Sequence, residues 1–212
     1  MSLTDVLEHH AGRFPDSPAL EYEGVVTSWG SLLGGVRRTA GALRQAGIGP
    51  GEVVAMLLHN SGRFLELMHA ISHLGAVVMP LNWRLAPPEL SYILNHSGAK
   101  AVVTEPELEP QLAPVLGELM RTRPRLTGPS DLTWTSLDEL RAEADPILEA
   151  APIADSDLHR LMYTSGTTSR PKGAMISYRN LRAKNAAHLV ELGMTANAIG
   201  LAGRYITWAR WA

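Results

Sequence analysis

The residues best suited to chemistry lie in one stretch, Tyr163-Thr164-Ser165-Gly166-Thr167-Thr168-Ser169-Arg170-Pro171-Lys172-Gly173. It offers the hydroxyls of Thr164, Ser165, Thr167, Thr168 and Ser169, with Lys172 nearby and no apolar side chain after Tyr163 except Pro171. Such a segment has little to bury. It presents backbone N–H groups and hydroxyls around a gap, with a cation beside it. That combination suits an anion with many oxygens, above all a nucleotide polyphosphate. The order differs from the phosphate loop of nucleotide triphosphatases, which needs glycine before its lysine and a hydroxyl after it, so that the lysine opens a helix. Here Pro171 precedes Lys172 and Gly173 follows. Proline removes a donor and disfavours a helical Arg170, which predicts Lys172 on a stiff turn between strands.

Something must position this loop, and the preceding chain reads as its scaffold. Leu3, Val6, Leu7 and Ala11 recur at helical spacing up to Pro15. Residues 19–22 and 25–27 flank Glu23-Gly24 as a hairpin, and Ser28 or Ser31 then opens a helix that Gly47 ends. Gly34-Gly35 within that helix predicts close packing against a neighbour. Residues 53–58 form a continuous apolar run, as in a strand covered on both faces. Asn60 or Ser61 caps a helix with Phe64, Leu67, Met68, Ile71 and Leu74 inward. A second strand over 76–79 ends at Pro80. Pro87-Pro88-Glu89 opens a further helix ending at Gly98, and 100–104 is a third strand. Strands alternating with helices predict an α/β fold, a mainly parallel sheet layered between helices. Residues 105–155 are broken by prolines and read as a surface connection, with one helix through Leu112, Val115, Leu116 and Leu119 and a short one capped by Ser136. Strands over 158–164 and 174–177 bracket the loop, and a helix runs from Asn180 to about Met194.

Bulk properties limit the alternatives. A chain of 212 residues has room for one domain and a real core. With 19 basic and 21 acidic residues, and no aromatics interleaved among Arg121, Arg123 and Arg125, nothing points to nucleic acid. The absence of cysteine excludes disulfides and thiol nucleophiles and is compatible with a cytoplasmic setting. The N-terminus carries acids and no apolar core, so it is not a secretory signal, and no apolar run is long enough to span a bilayer. His69 and His73 stand four apart, but the apolar residues claim the inner face and no third ligand is evident. They are expected on the outer side of their helix, without a metal. Asp155 and Asp157 precede a strand and read as turn residues.

The loop resembles the phosphate-binding signature of the adenylate-forming superfamily, whose usual form is Tyr-Thr-Ser-Gly-Thr-Thr-Gly-x-Pro-Lys-Gly. Upstream segments agree with it in order: residues 47–54, Asn60-Ser61, 74–82 and 89–94 are similar to the acyl-CoA synthetase branch. Residues 80–85 lean toward fatty or medium-chain acid ligases. Ser177-Tyr178-Arg179-Asn180-Leu181 resembles the segment after the loop, where the family often has histidine at the place of Tyr178. The resemblance runs from about Thr4 to about Leu201. It implies the first part of a large N-terminal domain, with ATP, Mg2+ and coenzyme A as cofactors. In the implied reaction a carboxylate attacks the α-phosphate of ATP, and a thiol then takes the acyl group from the adenylate. By position, Thr164, Ser165, Thr167 and Thr168 donate to the β- and γ-phosphates, Gly166 permits close approach, and Lys172 balances charge on the leaving pyrophosphate.

Two departures stand out. Ser169 replaces a glycine, which costs roughly 1 kcal/mol if the position needs positive φ. The family's adenine pocket, magnesium-binding glutamate, ribose-binding aspartate, hinge and C-terminal lysine have no counterpart in the sequence. Residues 203–212, with Trp208 and Trp211, do not look like the family, so 1–202 is expected to be a partial domain followed by a foreign tail after a frameshift or truncation. This chain is accordingly expected to lack catalysis by itself. The alternatives are a non-catalytic nucleotide- or phosphate-binding fragment, or an incomplete sheet that aggregates through exposed edges.

Overall fold

Strand β3 (Val53–Leu57) is the middle of the molecule, and it is buried on both faces because its side chains alternate between two apolar layers. It pairs in parallel with β4 (Val77–Pro80) on one side and β5 (Ala101–Thr104) on the other, with Val54 opposite both Val78 and Ala101. In this computed structural model the described residues are 3–115, 125–127, 135–164, 170–191, 198–202 and 205–209. Three further segments join the sheet on one side or the other: β6 (Arg125–Thr127), β7 (Thr135–Ser136) and β8 (Leu158–Thr164). The last strand, β9 (Lys172–Ser177), is the one antiparallel member of the described sheet. The seven strands stand in the order β7-β6-β5-β3-β4-β8-β9.

Val54, Met56, Val78, Ala101 and Val103 face one layer, formed by α1 (Leu3–Arg13), α2 (Trp29–Gln45), α3 (Gly62–His73) and α6 (Leu137–Glu143). Ala55, Leu57, Val77, Met79 and Val102 face the other, formed by α4 (Pro87–His96) and the short α5 (Glu109–Leu112). Each fully enclosed Leu, Ile or Met in these layers stabilises the fold by about 1.5–3 kcal/mol. The layered α/β/α architecture expected from the sequence is therefore present. A second, antiparallel sheet runs β10 (Ala198–Ala202), β11 (Tyr205–Ala209), β1 (Pro18–Tyr22), β2 (Val25–Ser28), with Leu20 opposite Thr207. The β1–β2 turn holds Glu23 at φ 51° and Gly24 at φ 80°, the left-handed pair that a two-residue hairpin requires.

Helix starts follow the capping chemistry. Ser28 Oγ accepts from the Ser31 N–H and Ser61 Oγ from the Phe64 N–H; Ser136 Oγ accepts from the Glu139 N–H. Helix α4 opens on Pro87, and the Glu89 carboxylate reaches back to the Ala86 N–H at 3.0 Å. Asp157 closes a turn by accepting from the Ala154 N–H at 2.7 Å, as expected of a turn residue.

Three expectations change. Residues 105–155 are not merely a surface connection: they supply β6, β7 and α6, and they bury Leu112 and Leu137. The helix drawn through Leu112 to Leu119 ends at Leu112, and its residues 116–119 lie outside the described set. Of the glycine pair, only Gly35 is tightly packed. A Cβ there would run into the Glu66 carboxylate, whereas Gly34 meets nothing nearer than the Arg38 guanidinium. The third change concerns the histidines expected outward: His73 is fully buried, and His69 is partly buried with its Nδ1 enclosed. Residues 144–151 cross over the end of α3, where His73 Nε2 pairs with the Ile147 carbonyl at 2.9 Å and the Ala151 N–H donates to the His73 carbonyl. Burial lowers the His73 pKa, the largest of the influences on it. Among the described residues, no group of three or more histidine and carboxylate side chains is placed to hold a metal, and no helix is long and apolar enough to cross a membrane.

Candidate functional site: the arms of the hydroxyl-rich loop

Strand β8 delivers the loop and β9 carries the chain away. They form an antiparallel ladder in which Tyr163 stands opposite Gly173 and Thr164 opposite Lys172. Lys172 is thus the first residue of β9, two residues earlier than the strand expected from the sequence. Directly opposed residues of an antiparallel pair project to the same face. The ladder therefore brings Thr164 and Lys172, two of the predicted site residues, side by side at the mouth of the loop, and both are exposed. No carboxylate pairs with Lys172 among the described residues, which leaves its ammonium available to an anion. Ser165, Gly166, Thr167 and Thr168 lie outside the described residues, as does Ser169.

The two arms rest on α4. On the entering arm, the Tyr163 hydroxyl lies 2.7 Å from His96 Nδ1 and donates to it in the tautomer protonated at Nε2. Partial burial, with the Tyr92 phenol nearby, raises the Tyr163 pKa, so this hydroxyl keeps its proton at neutral pH. The Tyr163 ring also covers Gly173, where an added Cβ would meet ring carbon Cζ at 3.0 Å. That contact gives Gly173 a steric reason distinct from backbone freedom. On the leaving arm, the Arg170 guanidinium stands 5.7 Å from the centre of the Tyr92 ring. Tyr92 and His96, one turn apart, stack with ring centres 5.2 Å apart.

Two hollows open beside the arms. One, of about 460 Å³, is lined by Tyr92, His96, Arg170, Pro171, Lys172 and Gly173. The other, of about 250 Å³, is lined by Asn82, Leu85, Ile93, Tyr163, Thr164 and Pro171. Pro171 lines both.

Beneath β8 is a buried polar cluster that the sequence did not announce. His159 is fully enclosed between α3 and α7 (Tyr178–Glu191), with Nε2 3.2 Å from Ser72 Oγ, and its ring meets that of Tyr178 edge-on at 4.9 Å. Ser72 in turn donates to the Met68 carbonyl at 3.0 Å. Burial pushes the His159 pKa down to about 4, with Arg160 and His69 adding repulsion. Burial raises the Tyr178 pKa, opposed by the adjacent Ser72 hydroxyl and reinforced by Asp157. Simple strand alternation would not have placed it: the β8–β9 register is irregular between Leu158 and Arg160, and His159 packs toward α3 while Leu161 packs in the layer on the α4 side.

Comparison with known proteins places this arrangement. The model of the family described as AMP-binding enzyme matches residues 7–208. The chain belongs to the AMP-binding enzyme family. Relatives include a feruloyl-CoA synthase from Amycolatopsis sp, 36% identical over 184 residues, covering 86% of this chain and 35% of the relative. A long-chain-fatty-acid–CoA ligase from Thermus thermophilus is 33% identical over 199 residues, covering 90% of this chain and 36% of the relative. Among solved structures, the anthranilate CoA ligase crystallised with anthranoyl-AMP superposes with a TM-score of 0.86 at 25% identity, over 93% of this chain and 39% of that one. The chain therefore spans little more than a third of the length of these acyl- and aryl-CoA ligases.

Proposed function

We propose that this chain supplies the polyphosphate-gripping part of an ATP-dependent acid–thiol ligase of the AMP-binding family. The supporting observation is the pairing of Thr164 with Lys172 across the β8–β9 ladder, with Lys172 exposed and free of any described carboxylate. An exposed, unneutralised ammonium beside a hydroxyl fits a phosphate oxygen; a paired one would not. In this reading Thr164 and Lys172, together with Ser165, Gly166, Thr167 and Thr168 of the loop between them, hold the β- and γ-phosphates of ATP. The substrate carboxylate displaces pyrophosphate from the α-phosphorus, forming an acyl-adenylate that a thiol such as coenzyme A then consumes. Lys172 acts on the leaving group: charge accumulates on the departing pyrophosphate, and a cation fixed in advance stabilises it. The acid is a fatty or medium-chain carboxylate in this proposal, resting on the segment Pro80-Leu81-Asn82-Trp83-Arg84-Leu85, part of which lines the smaller hollow. The cysteine-free composition is compatible with a cytoplasmic setting.

Calorimetric titration of the 212-residue chain with ATP, pyrophosphate and AMP tests the grip. ATP and pyrophosphate should bind at least about tenfold more tightly than AMP, since AMP lacks the two phosphates held by charge-assisted contacts. Equal affinity for AMP and ATP would overturn it. The chain by itself should give no acid-dependent exchange of pyrophosphate into ATP, which corresponds to the reading of a nucleotide-binding part without turnover.

A further inference from the structure

The hydroxyl-rich loop leaves one strand and enters the next, and its two ends are each tied to one of a stacked pair of residues on α4. The entering arm is held by the bond between the Tyr163 hydroxyl and His96 Nδ1, at 2.7 Å, and by the edge-on meeting of their rings at 5.9 Å. The leaving arm is held by Arg170 over the Tyr92 ring. Tyr92 and His96 stack on each other, so each contact braces the other. Ile93, between them in sequence, is fully buried in the layer beneath the sheet, which fixes the helix that carries both rings. Gly173 completes the arrangement, because a side chain there would crowd the Tyr163 ring and Leu161.

We propose that His96 is a positioning residue: with Tyr92 it forms a latch that sets the separation and direction of the two loop arms, and hence where Thr164 and Lys172 stand relative to a bound polyphosphate. The proposal rests on the polyphosphate reading above and deepens it. A ladder that ends at Thr164–Lys172 frays at that end unless something outside the sheet holds it. The latch holds it from the side, through an aromatic pair rather than through further strand pairing. It leaves the phosphate-facing groups untouched, since neither Thr164 nor Lys172 takes part.

Hydrogen exchange of the nucleotide-free chain, followed by mass spectrometry on peptides covering residues 158–164 and 170–177, reads the latch directly. Tyr163→Phe and His96→Ala should each speed exchange at the loop end of this ladder about fivefold, the worth of one ordinary net hydrogen bond. Exchange in β3 and β5 should stay as in the wild type. His96→Asn, which keeps a polar atom near the place of Nδ1, should return exchange to within about twofold of wild type. Unchanged exchange in Tyr163→Phe, or an increase shared equally with β3 and β5, would overturn the latch. If His96→Ala does not fold, Tyr163→Phe decides alone, because it removes one hydroxyl and leaves the ring over Gly173. ATP titrations of the same variants keep the two readings apart. Where the wild type binds ATP and Lys172→Ala does not, the latch variants should weaken binding by a similar factor of about five, and unchanged affinity would contradict the positioning role. Where wild type and Lys172→Ala both fail to bind, the polyphosphate reading falls, and the exchange result still decides the latch.

Discussion

The enclosed His159 sets a definite acid sensitivity. Its side chain is neutral in the fold because burial, then Arg160 and His69, hold its pKa at about 4 against an ordinary 6.5. The unfolded chain binds the proton first, so this contribution is intact above pH 6.5 and is lost as pH falls toward 4. Integrating over that window, the folded state loses about 3 kcal/mol between about pH 7.5 and pH 4 from His159 alone. His69, also lowered to about 4 by burial and then by Arg160, acts in the same direction. Carboxylates contribute below about pH 5 as well, so wild type alone is not decisive. His159→Gln keeps a polar atom near Ser72 and cannot titrate. Urea unfolding of both proteins, followed by tryptophan fluorescence at several pH values, isolates the contribution of His159. The wild type should lose about 3 kcal/mol more than His159→Gln on acidification. Parallel pH profiles for the two proteins would refute the reasoning.

Other outcomes follow from packing. Gly35→Ala should destabilise by about 1–3 kcal/mol, because a methyl there displaces the Glu66 carboxylate, which accepts from Thr39 at 2.7 Å and pairs with Arg141 at 2.8 Å. Gly34→Ala, whose methyl would make only ordinary contact with the Arg38 guanidinium, should be neutral or slightly stabilising through helix propensity, and thermal melts of the two variants give the contrast. Ser61→Ala should cost about 1 kcal/mol in urea unfolding by removing the cap on the Phe64 N–H. Gly173→Ala should disturb the loop arms more than the core, seen as faster exchange in peptides 158–164 and 170–177, because its methyl would press on Tyr163 and Leu161.

Much of the central sheet was legible because short-range rules govern it. Apolar runs between Gly and Pro signals mark β3, β4 and β5, and the serine caps mark where α2, α3 and α6 begin. The edge of the sheet was not legible. Strands of three and two residues, β6 and β7, are too short to show a period, and proline-rich surroundings hide them. His73 was misplaced because the period of α3 reports only its strongest apolar face. A helix covered on a second side by residues 144–151 has partners more than seventy positions away. The same distance hid the latch: His96 and Tyr163 are 67 residues apart, and nothing in either neighbourhood names the other. The hydroxyl-rich loop was the reverse case, since its type and order were informative before any geometry. The structure then added the register that sets Thr164 against Lys172.

The most direct test of the central claim is the ATP dissociation constant of the full 212-residue chain against that of Lys172→Ala, measured by calorimetry under identical salt. Lys172 carries no described ion pair, so its removal should leave the thermal midpoint nearly unchanged while weakening ATP binding about tenfold or more, the worth of a charge-assisted contact. Equal affinities for the two proteins, or no measurable binding by the wild type, would contradict the account.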